Sequence, residues 1–296
     1  MRDDLSVVVV TYDAMPWVER SLESVRGYEA IVVDHGSTDG TLELVRDRFP
    51  DVRVIEQENR GMGGGNNAGL RVAQGRYVLL LNSDAWVVDD ALECLAAYLD
   101  AHPAVAVAGP RLTNPDGSLQ RSVRGFPTVW RLATEYFFLR RLAPRSRALN
   151  AFYGGGFRHD TTSEVESLHG AALLVRREAA DAVGLFDEDF FMFSEETDWL
   201  YRFRQAGWTA AFVADAEVVH VGGASHGGRL YVENLRGILR FFAKHRGLRE
   251  AERARRLLLA ALRLRSLVFR GERGERYRNG ARFLASGDVR TLLSGS

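Results

Sequence analysis

The chain has 296 residues, 46% of them hydrophobic and 26% charged, a composition that excludes disordered and collagen-like classes and leaves a globular protein able to bury a core. The formal net charge is zero but segregated: residues 229–296 hold 17 Lys and Arg against 6 Asp and Glu, and residues 1–228 hold 22 against 33. The single cysteine, Cys94, excludes an internal disulfide framework, no window reaches the roughly 18 apolar residues of a membrane span, and no signal-peptide pattern follows Met1, so a cytoplasmic or peripheral location is expected.

Short apolar runs alternate with helical patterns over the first hundred residues, as βα units of a mostly parallel sheet do. Leu5–Thr11 is read as the first strand, Met15–Gly27 as a helix and Ala30–Asp34 as the second strand. A helix capped by Asp39 or Thr41 is expected to run to Phe49, and Val52–Glu56 to form the third strand. A long glycine-rich loop, a helix over Asn66–Gln74 and a buried strand over Tyr77–Leu81 follow. Val105–Arg121 reads as a strand and a turn at Asn114-Pro-Asp-Gly117. Residues 122–165, with their aromatics, arginines and the Gly154–Gly156 break, have no clean period and fit either a cleft-shaping insertion or a lid. Strands are expected at Gly170–Arg176 and Ala211–Gly222, with a helix at Leu200–Ala206 between them. The Leu- and Arg-rich tail from Tyr231 reads as helical, broken near Gly271–Gly280.

Five constellations carry chemistry. Thr11-Tyr12-Asp13 and Asp34-His-Gly36-Ser37 sit at the ends of the first two strands, where open α/β sheets take ligands; alone, the pattern also describes a capped helix start. Asn59-Arg60 and the glycines through Gly65-Asn66 lead into a helix whose amides suit a diphosphate, or form a generic flexible loop; no Walker lysine follows. Asn82-Ser83-Asp84 ends an apolar strand, and one hard carboxylate with two diphosphate oxygens suits Mg²⁺ or Mn²⁺, although a plain strand-ending turn has the same residues. Glu195, Glu196 and Asp198 crowd after an aromatic run, a setting for a general base, or equally a solvated acidic helix start. His220 ends an apolar strand and completes the coordination of the Asp84 metal, unless it is a structural strand-end histidine.

In this order and spacing the residues resemble the family 2 glycosyltransferases, inverting enzymes of the GT-A fold. The resemblance runs from Leu5 to about Ser225, through Val7–Tyr12, Val32–Gly40, Asn59–Gly69, Leu81–Ala85, Gly170–Arg177, Gly184–Glu188, Phe191–Asp198, Ala206–Trp208 and Val218–Ser225. It implies an α/β catalytic domain over 1–228, with a Rossmann-like nucleotide half (1–104) and an acceptor half (105–228), and a basic helical extension over 229–296. It implies that Thr11, Asp13 and Asp34 meet the nucleoside, that Asp84 and His220 hold the metal, and that Glu196 or its neighbour Glu195 deprotonates the acceptor. Asp13 and His35 stand where asparagine is common, Asn82 replaces the first acid of the Asp-X-Asp motif, and Glu196 replaces aspartate. The likeness is greatest to bacterial rhamnosyltransferases using dTDP-rhamnose, with UDP-GlcNAc, UDP-galactose or UDP-galactofuranose as alternative donors and a glycan or lipid-linked acceptor in cell-envelope polysaccharide synthesis.

The rival classes are a non-catalytic nucleotide-sugar binder, which should have lost Asp84 or both glutamates, and a nucleotidyltransferase, which would need a basic glycine loop where Thr11–Pro16 stands. No nucleic-acid partner is expected. The tail's arginines, among them Arg253, Arg255, Arg256, Arg263 and Arg265, either lie on an anionic membrane at its inner face or pack on the catalytic domain or on a second subunit of a homodimer.

Overall fold

The computed structural model describes residues 3–146, 148–150, 152, 154, 156–222 and 228–294. Gly155, in the Gly154–Gly156 break, and Gly223–His226, which follow the fifth constellation, lie outside the described residues. The chain forms two compact units: Met1–Val123 with Arg158–Phe191 and Glu195–Ala224, and Arg124–Phe157 with Met192–Ser194 and Ser225–Ser296. The segment without a clean period thus belongs mainly with the carboxyl-terminal helices.

The strands are β1 (Leu5–Thr11), β2 (Glu29–Asp34), β3 (Arg53–Glu56), β4 (Tyr77–Asn82), β5 (Ala85–Val87), β6 (Val105–Thr113), β7 (Leu119–Gln120), β8 (Val123–Arg124), β9 (Ser163–Val165), β10 (Ser167–Leu168), β11 (Ala172–Arg176) and β12 (Thr209–His220). The first unit is built on a sheet of order β3-β2-β1-β4-β11-β6-β12-β5. Strands β3, β2, β1 and β4 are parallel, β11 is antiparallel to both neighbours, and β12 runs parallel to β6. Every residue of β1 is buried, as expected for a strand covered on both faces.

The helices of this unit are α1 (Val18–Glu23), α2 (Thr41–Arg48), α3 (Gly61–Val72) and α4 (Ala91–Ala101), then α6 (Arg177–Val183) and α7 (Glu195–Gln205); α5 (Val129–Tyr136) belongs to the second unit. Helix α1 is shorter than its apolar pattern, because residues 15–17 and 24–27 form turns around it. Helix α3 begins at Gly61, not Asn66, and the glycines read as a loop are its first turns. Each glycine loses about 1 kcal/mol of helix propensity against alanine, so packing holds this helix. A Cβ on Gly65 would lie 2.7 and 2.8 Å from the Val10 methyls and 3.0 Å from His35 Cε1, and one on Gly69 would overlap Val8. The glycines let α3 lie directly on β1.

Two arginines at the junction of β11 and α6 tie helix ends to the sheet. Buried Arg176 donates to the Leu99 carbonyl at 2.6 Å and the His102 carbonyl at 3.3 Å, at the end of α4. Arg177 donates to the Gly75, Ala73 and Leu70 carbonyls at the end of α3. Both place positive charge where helix carbonyls lack partners.

The second unit gathers α5 with α8 (Gly228–Arg246), α9 (Leu248–Val268), α10 (Gly271–Ala285) and α11 (Val289–Ser294). Helix α10 runs through Gly274 and Gly280 where a break was expected; a Cβ on Gly280 would meet Tyr231, Leu262 and Leu235 at 2.8–3.0 Å, so that glycine is a packing notch. Arg265 is buried: it donates to the Glu135 and Tyr136 carbonyls at 2.7 and 2.8 Å and its guanidinium lies 4.2 Å from the Phe138 ring centre. Arg253 pairs with Glu250, and Arg255 and Arg256 share Glu252. Part of the basic surplus therefore acts inside this unit. Among the described residues, no helix is long and apolar enough to cross a membrane.

Candidate active site

Strand direction gathers the constellations at one edge of the first unit's sheet. Parallel β1, β2 and β4 end there in Thr11, Asp34 and Asn82; β11, running oppositely, starts there, and β12 ends there in His220. The backbone of β4 is tied to the entry of β11 by Asn82 N–H donating to the Ala171 carbonyl at 2.9 Å. Residues far apart in sequence thus share one floor.

Asp34 is the hub of the hydrogen bonds at the ends of β1 and β2. Its carboxylate accepts from Thr11 Oγ1 at 2.7 Å, Ser37 Oγ at 2.6 Å and the Gly36 and Ser37 amides at 3.0 and 2.9 Å. Burial pushes this carboxyl up, but the Ser37 hydroxyl and amide, with Thr11 and Gly36, outweigh it and hold it below the usual carboxylate range. Asp13, left-handed at φ 48°, accepts from Thr38 N–H at 2.7 Å, while its own amide donates to Ser37 Oγ at 3.0 Å. Tyr12 is 58% exposed between these fixed residues and is available to a ligand ring. His35 is buried, and burial lowers the proton affinity of its imidazole; its Nε2 faces Gln57 Nε2 at 3.0 Å and accepts from it.

The diphosphate candidates divide. Asn59 Oδ1 accepts from the Gly61 amide at 3.0 Å and so organises the first turn of α3, and Arg60 is exposed, 3.9 Å from Glu188. Gly65 and Asn66 are buried in that helix, Gly65 against Val10 and His35. They shape the site through packing.

Asp84 and His220 stand together. Asp84 Oδ1 is 3.3 Å from His220 Nε2, Asp84 Oδ2 accepts from the Gly222 amide at 3.2 Å, and Asn82 Nδ2 faces the same Nε2 at 3.4 Å. Register places His220 opposite Ala85, the residue after Asp84. Burial raises the Asp84 carboxyl, but the adjoining imidazole and the Gly222 amide bring it below its ordinary value. Neighbouring ligands of an octahedral ion at about 2.1 Å lie about 3.0 Å apart, so this oxygen and nitrogen fit two positions of such a shell. No cluster of three or more His, Cys, Asp or Glu able to hold a metal occurs among the described residues, so the remaining positions would fall to phosphate and water.

Glu196 reaches the same floor. A Cβ on Gly170 would lie 3.5 Å from Glu196 Cγ, Gly170 precedes the Ala171 carbonyl bound to Asn82, and the neighbouring His169 ring lies 5.4 Å from that of His220. Glu195 and Glu196 are 9% and 8% exposed in the first turn of α7, where the helix dipole favours carboxylates. Asp198 is engaged otherwise: wholly buried, it accepts from Arg202 Nε at 2.9 Å, and Arg202 also donates to the Val183, Gly184 and Leu185 carbonyls. Phe193 and Ser194, directly before α7, are both left-handed at φ 68° and 71°, the sort of backbone strain that collects at functional segments. Sequence reasoning passed over Gly170, His169 and Gln120; only the spacing of the glycine before β11 carried a signal for any of them.

Residues 6–166, more than half of the chain, match the family model of Glycosyl transferase family 2, and the chain belongs to that family. It is a glycosyltransferase of the GT-A fold. It is 32% identical over 238 residues to the N-acetylglucosaminyl-diphospho-decaprenol L-rhamnosyltransferase of Mycobacterium tuberculosis strain H37Rv, covering 74% of this chain and 76% of that protein. Among solved structures, the mannosyltransferase PcManGT of Pyrobaculum calidifontis in complex with GDP-Man and Mn²⁺ aligns with TM-score 0.56 and 20% identity over 99% of this chain and 84% of that one. GalNAc-T7 with UDP, GalNAc and Mn²⁺ aligns with TM-score 0.60 and 17% identity over 80% and 48%. At these identities the structural likeness speaks to the fold.

Proposed function

We propose that the chain is an inverting rhamnosyltransferase that moves L-rhamnose from dTDP-rhamnose to a hydroxyl of a lipid-linked glycan acceptor in cell-envelope polysaccharide synthesis. The observation that carries the chemistry is the convergence of Asp34, the Asp84–His220 pair and Glu196 on one sheet edge; the similarity to the mycobacterial rhamnosyltransferase supports the sugar and the acceptor class. In this reading residues 1–104 bind the nucleotide, residues 105–228 meet the acceptor and residues 229–296 form a basic extension.

Thr11, Tyr12, Asp13, Asp34, Gly36 and Ser37 receive the nucleoside. Asn59 and Arg60, on the packing supplied by Gly65 and Asn66, face the diphosphate, and Asn82 and Ser83 orient the sugar. Glu196 takes the proton of the acceptor oxygen as that oxygen bonds to the anomeric carbon and the bond to the diphosphate breaks, so one displacement inverts the centre. Glu195 lies beside it in the same helix turn, and Asp198 fixes the turn through Arg202. Asp84 and His220 hold Mg²⁺ or Mn²⁺, which when bound balances charge on the departing nucleotide diphosphate.

The test is donor turnover with dTDP-rhamnose, UDP-GlcNAc, UDP-galactose and GDP-mannose, each with Mn²⁺, Mg²⁺ or EDTA, for wild type, Asp84→Ala and Glu196→Gln. Metal-dependent release from dTDP-rhamnose, lost in both variants, is expected. Release from a UDP-sugar instead would replace the donor, and no release or binding with any donor would overturn the assignment.

The second unit also carries the meeting with the membrane in this proposal. Leu142, Leu267 and Val268 are 79, 83 and 64% exposed and share that unit with Arg263, Arg270 and Arg273. Apolar side chains among cations suit an anionic bilayer. Flotation with phosphatidylglycerol but not phosphatidylcholine vesicles is expected, weakened by Leu267→Asp; flotation unchanged by that substitution refutes this surface.

A further inference from the structure

The imidazole of His220 has a second partner. Its Nδ1 lies 2.7 Å from Gln120 Oε1, on the two-residue strand β7 that follows the Asn114–Gly117 turn and pairs with the end of β6. The orientation of the Gln120 carboxamide is set from its other end: Nε2 donates to Asn114 Oδ1 at 3.1 Å and to the His220 carbonyl at 3.4 Å, so Oε1 is the atom left for the ring. Asn114 is fixed in turn, its Nδ2 donating to Ser118 Oγ at 2.9 Å. A carbonyl oxygen only accepts, so Nδ1 carries the proton. On the far side of the ring Asn82 Nδ2, a donor, faces Nε2 at 3.4 Å. Asp84 Oδ1, 3.3 Å from that same Nε2, only accepts and so draws a proton to it in the metal-free ring; a cation bound between the two takes that proton's place, and the Nδ1–H bond to Gln120 is then the one that fixes the ring.

We infer that Gln120 is a positioning residue for the metal pair: by accepting from Nδ1–H it keeps the His220 Nε2 lone pair directed at the space beside Asp84 Oδ1. This rests on the reading of Asp84 and His220 as the metal-holding residues. Histidine ligands ordinarily donate their other ring N–H to a carbonyl or carboxylate, and loss of such a partner weakens metal binding by about 10- to 100-fold. His220 itself is only 5% exposed, so water is a poor substitute for the missing acceptor. The turn at Asn114–Gly117 gains a function through this chain, because its geometry sets where Gln120 stands.

The experiment compares wild type, Gln120→Leu, Gln120→Glu and His220→Ala in the full chain. Mn²⁺ affinity is measured by electron paramagnetic resonance of free Mn²⁺ with dTDP present, and the His220 ring nitrogens are assigned by ¹⁵N NMR with diamagnetic Mg²⁺ and dTDP present. The expected result is a ring with metal on Nε2 and a proton on Nδ1 in wild type, a roughly 10- to 100-fold weaker Mn²⁺ Kd in Gln120→Leu, and a Kd between the two in Gln120→Glu, whose carboxylate still accepts from Nδ1–H but offers no donor to Asn114 Oδ1 and the His220 carbonyl. Weakening by His220→Ala without weakening by Gln120→Leu overturns the role of Gln120 while the metal assignment stands. Wild-type Mn²⁺ affinity in His220→Ala overturns both. Circular dichroism shows whether each variant is folded, and Gln120→Met, of similar length but without the accepting oxygen, takes the place of the leucine variant should that one misfold.

Discussion

Alanine at Gly65 and at Gly63 should move stability in opposite directions. The glycines lie in one helix, α3, and each replacement gains about 1 kcal/mol of helix propensity. They differ in surroundings. At Gly65 the new methyl would stand 2.7 and 2.8 Å from the two methyls of Val10 and 3.0 Å from His35 Cε1, about 1 Å inside ordinary carbon contact. At Gly63 the nearest atom is Phe186 Cβ at 3.3 Å, and the next two lie at 3.7 and 3.8 Å. Overpacking costs about 1–3 kcal/mol, and contact with three atoms of a strand and a buried ring places Gly65→Ala at the upper end. Net destabilisation of about 2 kcal/mol is expected there, against a change between zero and about 1 kcal/mol of stabilisation for Gly63→Ala. At about 2–4 °C per kcal/mol, Gly65→Ala should melt about 4–8 °C below wild type and Gly63→Ala at or slightly above it. Thermal unfolding followed by circular dichroism reads this directly. Equal Tm values for the two variants would refute the claim that the glycines exist for close helix–strand packing and would restore the flexible-loop reading.

Asp34→Asn should lose about 2 kcal/mol of stability at pH 7, because charge-assisted hydrogen bonds become neutral ones. The native carboxyl is held below its unfolded value of about 3.9, so its contribution is present above that value and disappears as pH falls through the lower native one; urea unfolding at pH 7 and pH 3 should show the difference from wild type shrinking on acidification. Arg265→Leu strands the buried Glu135 and Tyr136 carbonyls and should cost about 3 kcal/mol, with Arg265→Lys recovering only part because one ammonium cannot reproduce the fork; a lysine variant as stable as wild type in urea would count against this account. If Glu196 is the proposed base, Glu196→Gln should lower sugar transfer by about 10²–10⁴-fold while isothermal titration with the nucleotide diphosphate stays within a few-fold of wild type, since the proposal has the carboxylate act on the acceptor.

Much of the first unit was legible because its strands are apolar on both faces and end in polar residues: Leu5–Thr11 emerges with its expected bounds, and β4 differs by one residue. The start of α3 was not legible, because four glycines in a row of turns speak for flexibility unless the strand beneath them is known. Antiparallel β11 is as apolar as its parallel neighbours, and periodicity does not encode direction. The candidate site residues stood out where a carboxylate or imidazole closed an apolar run, and the strand ends bring Asp34, Asp84 and His220 to one end of the sheet. Asp198 was grouped with the glutamates by proximity along the chain, whereas the helical spacing of four residues to Arg202 is what decides its partner. Gln120 gave no sign, since an amide three residues beyond a turn is ordinary until the ring it meets, a hundred positions later, is in place.

The placement of β11 also bears on how the protein is made. This strand fills the gap between β4 and β6, yet it is synthesised after both, and it is followed by the strand that brings His220 to Asp84. A nascent chain that has released only residues 6–166, the stretch the family match covers, holds two apolar strand edges with nothing between them. Such edges pair readily with other chains, and the contacts that close them are long in sequence and slow to form. A fragment cut at that boundary should therefore aggregate on the ribosome or soon after leaving it, while one extended through residue 222 brings the missing strand, and with it the Asp84–His220 pair, into the same folding event.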